Sequence, residues 1–232
     1  MSSLITPADL RDTSYFPTWS TCPALLQLVA HPDTSHLPTH AWFLLVQIVT
    51  IDYVNVDPIN DTPGDMKFKL LVADRTGTQF NVLLRVSDED SWYFPLYMLV
   101  EGYTLVLQGA VRSWLTLEEH GVVFQDMGRV KFVPYTLGYM MRINTRLIEA
   151  RRMNGDKHVC FVCDGDCEDA DKARCDGCGF FYFCCEECHY KGHNVTWHGL
   201  ECSILKEHDM AALFSGNWHD ILEFSNIVLP RV

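Results

Sequence analysis

The sequence predicts a small, mainly β domain joined to a small cysteine-rich domain that contains short helices. Two patterns carry this. Between Trp42 and Pro134 the chain runs through short β-branched and aromatic stretches separated by turn residues. Further on, nine of the ten cysteines fall between Cys160 and Cys202, and six of them form regularly spaced pairs. At 232 residues and 48% hydrophobic composition, the chain has room for one ordinary packed domain besides the cysteine-rich one. It contains no internal repeat, low-complexity segment or long Gly/Ser linker.

Residues 1–36 form an N-terminal segment in which Asp9, Arg11 and Asp12 are mixed with Pro7 and Pro17 among apolar residues. A secretory leader needs a basic cap and an unbroken apolar run, so none is read here, and reduced cysteines in an intracellular location are expected. No stretch of about twenty apolar residues occurs, so no membrane partner is expected.

The β domain is placed at 37–136. Its strands are expected at Phe43–Val54, Phe68–Ala73, Thr78–Arg85, Tyr103–Val111 and Val122–Phe132. Asp74-Arg75-Thr76-Gly77 reads as the hairpin turn between the second and third, with glycine supplying positive φ. A mobile loop is expected over Pro58–Asp65, and a short helix from near Pro95, closed by Gly102. A basic linking helix is expected over 137–157. There Leu137, Met140, Met141, Leu147 and Ile148 recur at helical spacing, and Arg142, Arg146, Arg151, Arg152 and Lys157 outnumber Glu149 and Asp156. The cysteine-rich domain is placed at 158–204. C-terminal helices are expected within 205–232, with Ser203–Phe214 and Trp218–Ser225 as the helical stretches.

The cysteine pairs are Cys160-x-x-Cys163, Cys175-x-x-Cys178 and Cys184-x-x-x-Cys188, and the set closes with His198-x-x-x-Cys202. Thiolates two residues apart grip one Zn²⁺ from a tight turn, and two such pairs fill a tetrahedral shell. Four pairs therefore point to two structural zinc ions, with no open position left for a catalytic water.

The order of the pairs, with the aromatic run Phe180-Phe181-Tyr182-Phe183 just before the third, resembles the MYND-type zinc finger over Cys160 to Cys202. The resemblance implies interleaved ligation. Cys160, Cys163, Cys184 and Cys188 would hold one ion, and Cys175, Cys178, His198 and Cys202 the other. It also implies docking of a partner protein through a short proline-rich peptide, near Tyr182, His189 and Trp197. The chain departs from the family pattern in several places. Cys167 and Cys185 are surplus, the Cys188–His198 stretch is long, and His189 stands where the family favours Gln. His193 is an alternative to His198.

The strand, hairpin, helix, strand, strand order resembles the OB-fold, a small five-stranded barrel. The phrases Leu71-Val72-Ala73-Asp74-Arg75-Thr76-Gly77 and Glu101-Gly102-Tyr103-Thr104-Leu105-Val106-Leu107-Gln108-Gly109 resemble single-strand-binding members of that fold. This implies a ligand face across the second and third strands, with Trp114 and Tyr53 as stacking platforms and Lys67, Lys69, Arg85 and Arg112 as phosphate contacts. Phe80 reads as core. The net charge of −12 opposes non-specific polyanion binding, which draws its affinity from released counterions.

No Gly-rich phosphate loop, Gly-x-Ser-x-Gly elbow or His-Glu-x-x-His stretch is present, so an enzyme is not expected. The expected function is that of a non-enzymatic zinc-binding adaptor, nuclear rather than cytoplasmic. Its finger recruits one protein, and its barrel engages a second protein or, alternatively, single-stranded DNA or RNA.

Overall fold

The computed structural model describes residues 6–25, 41–54, 66–87, 94–154, 157–167, 173–218 and Phe224. The loop expected at Pro58–Asp65 and most of the helix expected at Trp218–Ser225 lie outside them. The chain divides into two compact units. One is Arg11–Met140 with Glu223–Ile227, and the other is Met1–Leu10 with Met141–Leu222 and Val228–Val232.

The first unit is a seven-stranded mixed sheet. Its strands are β1 (Phe43–Val54), β2 (Met66–Asp74), β3 (Gln79–Val86), β4 (Thr104–Gln108), β5 (Arg112–Trp114), β6 (His120–Phe124) and β7 (Val130–Val133). The hydrogen-bonded order is β5-β6-β3-β2-β1-β4-β7, and the β3–β6 ladder is parallel where the others are antiparallel. Among the described residues no ladder joins the two edges, so the pairing is that of an open sheet.

Five strands were expected and seven are present among the described residues, because β5 lies just beyond the fourth expected run and the fifth run is broken in two. Gly109, at φ +67°, ends β4 before β5 begins. In the last run a 3₁₀ turn at Met127–Arg129 separates β6 from β7, and the Asp126 side chain caps it by accepting from the Gly128 N–H at 3.1 Å. The helix expected from Pro95 is only a 3₁₀ turn, Leu96–Met98. Packing decides its length, for Phe94 and Met98 turn into the core and Phe94 stacks on Phe68, while Leu96 and Tyr97 stay exposed.

Alternation builds the core. Phe68, Leu70 and Val72 of β2 and Phe80, Val82 and Leu84 of β3 are buried on one face, with Lys67, Lys69, Leu83 and Arg85 on the other. The N-terminal segment adds to this core: Trp19 stacks on Phe80 with ring centroids 4.1 Å apart, and Phe16 packs on Phe43. The β2–β3 turn is locked by the buried Asp74 carboxylate. It accepts from the backbone N–H of Trp19 at 2.7 Å, Thr76 at 2.8 Å and Thr78 at 3.1 Å, and Gly77 takes φ +82°.

Among the described residues four helices follow: α1 (Leu137–Asn154), α2 (Glu186–Asn194), α3 (His198–Leu205) and α4 (His208–Ser215). The helix expected over Ser203–Phe214 is two, because Glu207 leaves helical geometry and caps α4 through its side chain, which accepts from the Met210 N–H at 2.9 Å. In α1 the residues Leu137, Met140, Ile143 and Leu147 are buried, and Arg151 and Arg152 lie in the last turn, where cations suit the helix dipole. Asn144, also fully buried, bonds the N-terminal backbone by donating to the Ala8 carbonyl and accepting from the Leu10 N–H. Among the described residues no helix is long and apolar enough to cross a membrane.

Candidate metal centres

Two turns of the same construction present the first two cysteine pairs. In one, the Val159–Asp166 bridge closes a loop in which the Asp164 N–H donates to the Cys160 carbonyl at 3.0 Å, with Asp164 at φ 58°. In the other, the Arg174–Tyr182 bridge closes a loop in which the Gly179 N–H donates to the Cys175 carbonyl at 2.8 Å, with Gly179 at φ 70°. Each turn brings the two thiols of a Cys-x-x-Cys pair to one side. The Phe161 N–H joins the turns by donating to the Tyr182 carbonyl at 2.8 Å.

The third pair enters α2, with Cys184 just ahead of its start and Cys188 in its first turn. The last pair sits one turn apart on α3, where His198 is the first residue and both His198 and Cys202 are buried. Phe181 and Phe183 are the buried positions of the alternating aromatic run. Phe181 lies 4.8 Å and Phe183 5.2 Å from the His198 ring, and Phe161 packs against both phenylalanines.

These elements gather the donors into two clusters, each compatible with a metal ion. Cys160, Cys163, Cys184 and Cys188 form one, and Cys175, His193, His198 and Cys202 the other, with all donor atoms of a cluster within 4.8 Å of one another. In a tetrahedral zinc site, Zn–S bonds of about 2.3 Å set neighbouring sulfurs about 3.8 Å apart, and a sulfur and an imidazole nitrogen about 3.6 Å. The first cluster has Cys163–Cys184 at 3.5 Å and Cys184–Cys188 at 3.6 Å. The second has Cys175–Cys202 at 3.8 Å, with the His198 and His193 Nε2 atoms 3.4 and 3.7 Å from the Cys175 Sγ. The residues therefore fit zinc, and all ten cysteines are free thiols rather than disulfides. Loaded ions would supply charge and a rigid tetrahedral tie between the turns and helices.

Cys178 is not among the four donors that lie within 4.8 Å of one another, but it is buried beside them, in the turn whose Gly177 faces the Cys202 and Cys175 sulfurs, and its thiol interacts with both. A fifth donor thus borders the four of the second cluster. Hydrogen bonds from Cys178 and Cys202 hold the Cys175 thiol far below its usual range, and the Cys175 and Cys202 side chains push Cys178 far up. At the first cluster, burial pushes Cys160 up, but backbone N–H groups of Cys184, Val162 and Cys163 bring it down to about 6. The surplus Cys167 is pushed up to about 11 by burial and the neighbouring Cys160 and Cys163, which keeps it a protonated thiol. The surplus Cys185 is exposed, 3.9 Å from Cys184.

Glu201, fully buried on α3, accepts from the Arg146 guanidinium of α1; burial pushes its carboxyl up against the pull of that guanidinium. Its other oxygen and the His198 Nδ1 are both buried without a hydrogen-bond partner among the described residues.

Of the peptide-contact candidates, Tyr182 is half-buried and rests on His158, while His189 is exposed and Trp197 is 65% exposed. Tyr190 and Val195, which sequence reasoning did not single out, are exposed beside them in sequence.

The nucleic-acid candidates do not share one face. Lys67, Lys69 and Arg85 lie together on the outer face of β2 and β3, Lys67 directly opposite Arg85. Lys69 there pairs with Glu119 at 2.8 Å, and Glu119 also accepts from the Asn81 amide. Arg112 stands opposite the buried Val122, and its guanidinium lies 5.6 Å from the Trp19 ring on the core side. Trp114 is 53% exposed, against His120, and Tyr53 is exposed at the edge of Phe68. Neither the protein-family models nor the curated proteins compared with this chain match it.

Proposed function

We propose that the chain is a non-enzymatic adaptor in which a MYND-type, two-zinc finger docks a partner protein and an OB-like barrel carries a second contact surface. The observation that supports this most is the order of the donors. First and third pairs converge in one cluster, and Cys175 of the second pair meets the fourth pair and His193 in the other, with sulfur–sulfur separations near the edge lengths of a zinc tetrahedron. Interleaving ties the whole of 160–202 into one unit that its few apolar side chains would not hold alone. With four or more protein donors at each centre, the ions have no free position for chemistry, which favours a structural role. Ligation by thiolates needs reduced cysteines and so fits an intracellular protein.

Three features support the barrel reading. β1 pairs with both β2 and β4, β3 pairs in parallel with β6, and only residues 109–111 separate β4 from β5, although these strands stand near opposite ends of the sheet order. The exposed ligand of the finger would be an extended proline-rich peptide, laid against Trp197, Tyr190 and His189, whose rings stand in water. A protein rather than single-stranded nucleic acid suits the sheet, because Lys69 is neutralised by Glu119 and Arg112 turns to the core.

The test is fluorescence anisotropy of labelled proline-rich peptides and of single-stranded oligonucleotides, titrated with zinc-loaded protein at low and physiological salt. Saturable peptide binding lost in Trp197→Ala, with unchanged fold, is expected. Salt-sensitive oligonucleotide binding without any peptide binding would overturn the adaptor reading.

A further inference from the structure

We infer that the second metal centre has two interchangeable fourth ligands, Cys178 and His193. The inference rests on the two-zinc reading above. A closed structural zinc site takes four ligands, whereas a fifth donor borders the four gathered at this one. His198, Cys175 and Cys202 are common to both arrangements. The fourth position is contested by Cys178, buried in the turn whose Gly177 faces the Cys202 and Cys175 sulfurs, and by His193, whose Nε2 stands 3.7 Å from the Cys175 Sγ, near the edge length a bound imidazole requires.

Neither contender has an overriding advantage. Thiolate is the better zinc donor, but with Cys178 bound the centre carries three thiolates and a net charge of −1, whereas with His193 bound it is neutral. Cys175, Cys178, His198 and Cys202 are all buried, and burial penalises net charge. Affinity for sulfur and the cost of burying charge therefore act in opposite directions, which brings the two arrangements close in free energy. His193 is carried by α2, whose first turn also supplies Cys188 to the first centre. Binding His193 thus pins α2 at both metal centres, and binding Cys178 releases its C-terminal half. The exposed Tyr190 lies on that half, and Val195 and Trp197 follow it directly, so the exchange tunes the rigidity of the proposed peptide surface.

The experiment is native mass spectrometry of the full chain, counting zinc in the parent, Cys178→Ser, His193→Ala and the double variant. Zinc-edge X-ray absorption of the parent accompanies it. Both single variants are expected to retain two ions and the double variant one. A drop to one ion in either single variant overturns the exchange, as does a double variant that keeps two. Should a substituted chain fail to fold, the parent spectrum still decides. An average between six and seven sulfurs among eight donors supports the exchange, and seven sulfurs to one nitrogen, or six to two, refutes it. A parent that binds no zinc fails the two-zinc reading itself, an outcome distinct from either result for the exchange.

Discussion

Gly177 lies in the turn between Cys175 and Cys178, and a methyl group added there would stand 2.7 Å from the Cys202 Sγ and 3.7 Å from the Cys175 Sγ. Ordinary contact begins at about 3.4 Å, so Cys202 or the turn would have to move by roughly 0.7 Å, whereas a zinc ligand keeps its bond length within about 0.2 Å. The backbone at Gly177 is not in the left-handed region, so Gly177→Ala acts by crowding alone. Overpacking of this kind costs about 1–3 kcal/mol. On the proposal that the cysteine-rich domain folds around zinc, that cost appears as weaker zinc binding, about 5- to 150-fold at the second centre, with the first unchanged. Stepwise competition with a chromogenic zinc chelator resolves the two affinities. Gly138→Ala on α1, where an added methyl meets nothing within 4 Å, is the control expected to leave both unchanged. Equal affinities at both centres in Gly177→Ala and the parent would refute the placement of Cys202 against this turn.

Arg146→Ala leaves the Glu201 carboxyl buried without its cation, a loss near the lower end of about 3–5 kcal/mol because Arg146 is itself 34% exposed. Adding Glu201→Gln, which removes the charge, is expected to restore part of the melting temperature; a double variant less stable than Arg146→Ala would contradict the pairing. Asp74→Ala strips the acceptor from three backbone N–H groups and is expected to cost about 3 kcal/mol in urea denaturation followed by tryptophan fluorescence, with Asp74→Asn costing less. A change under about 0.5 kcal/mol for Asp74→Ala would mean that the turn does not depend on that carboxylate. Chelation of zinc is expected to abolish the far-ultraviolet helical signal of α2 and α3; a helical signal unchanged by chelation would show that the metal is not what folds them.

The cysteine-rich domain was legible because metal geometry dictates spacing: a tetrahedron forces its donors into pairs close in sequence. The pairs Cys160/Cys163 and Cys184/Cys188 meet in space as that rule implies. The strands were legible where burial alternates, as at Phe68, Leu70 and Val72. Their ends were not, since Gly109 closes β4 short of its expected end and the Asp126 cap splits the last run, and neither break interrupts the β-branched and aromatic pattern sharply. Faces of the sheet depend on register, which the sequence does not state. Arg112 and Lys69 both read as surface cations until pairing opposite Val122 turns one to the core and Glu119 neutralises the other. Asn144 is polar beside the apolar stripe of α1, and its role emerges only when Ala8 and Leu10 come beside it. His193 was visible as an alternative to His198, but both reach Cys175, so the contest falls on Cys178 instead.

Native mass spectrometry of the chain purified under reducing conditions, before and after acid denaturation, tests the central claim most directly. Two zinc ions per chain, both lost on denaturation, with all ten cysteines recovered as thiols, is the predicted result. A metal-free folded chain, or a mass lowered by disulfide formation among Cys160–Cys202, would contradict it.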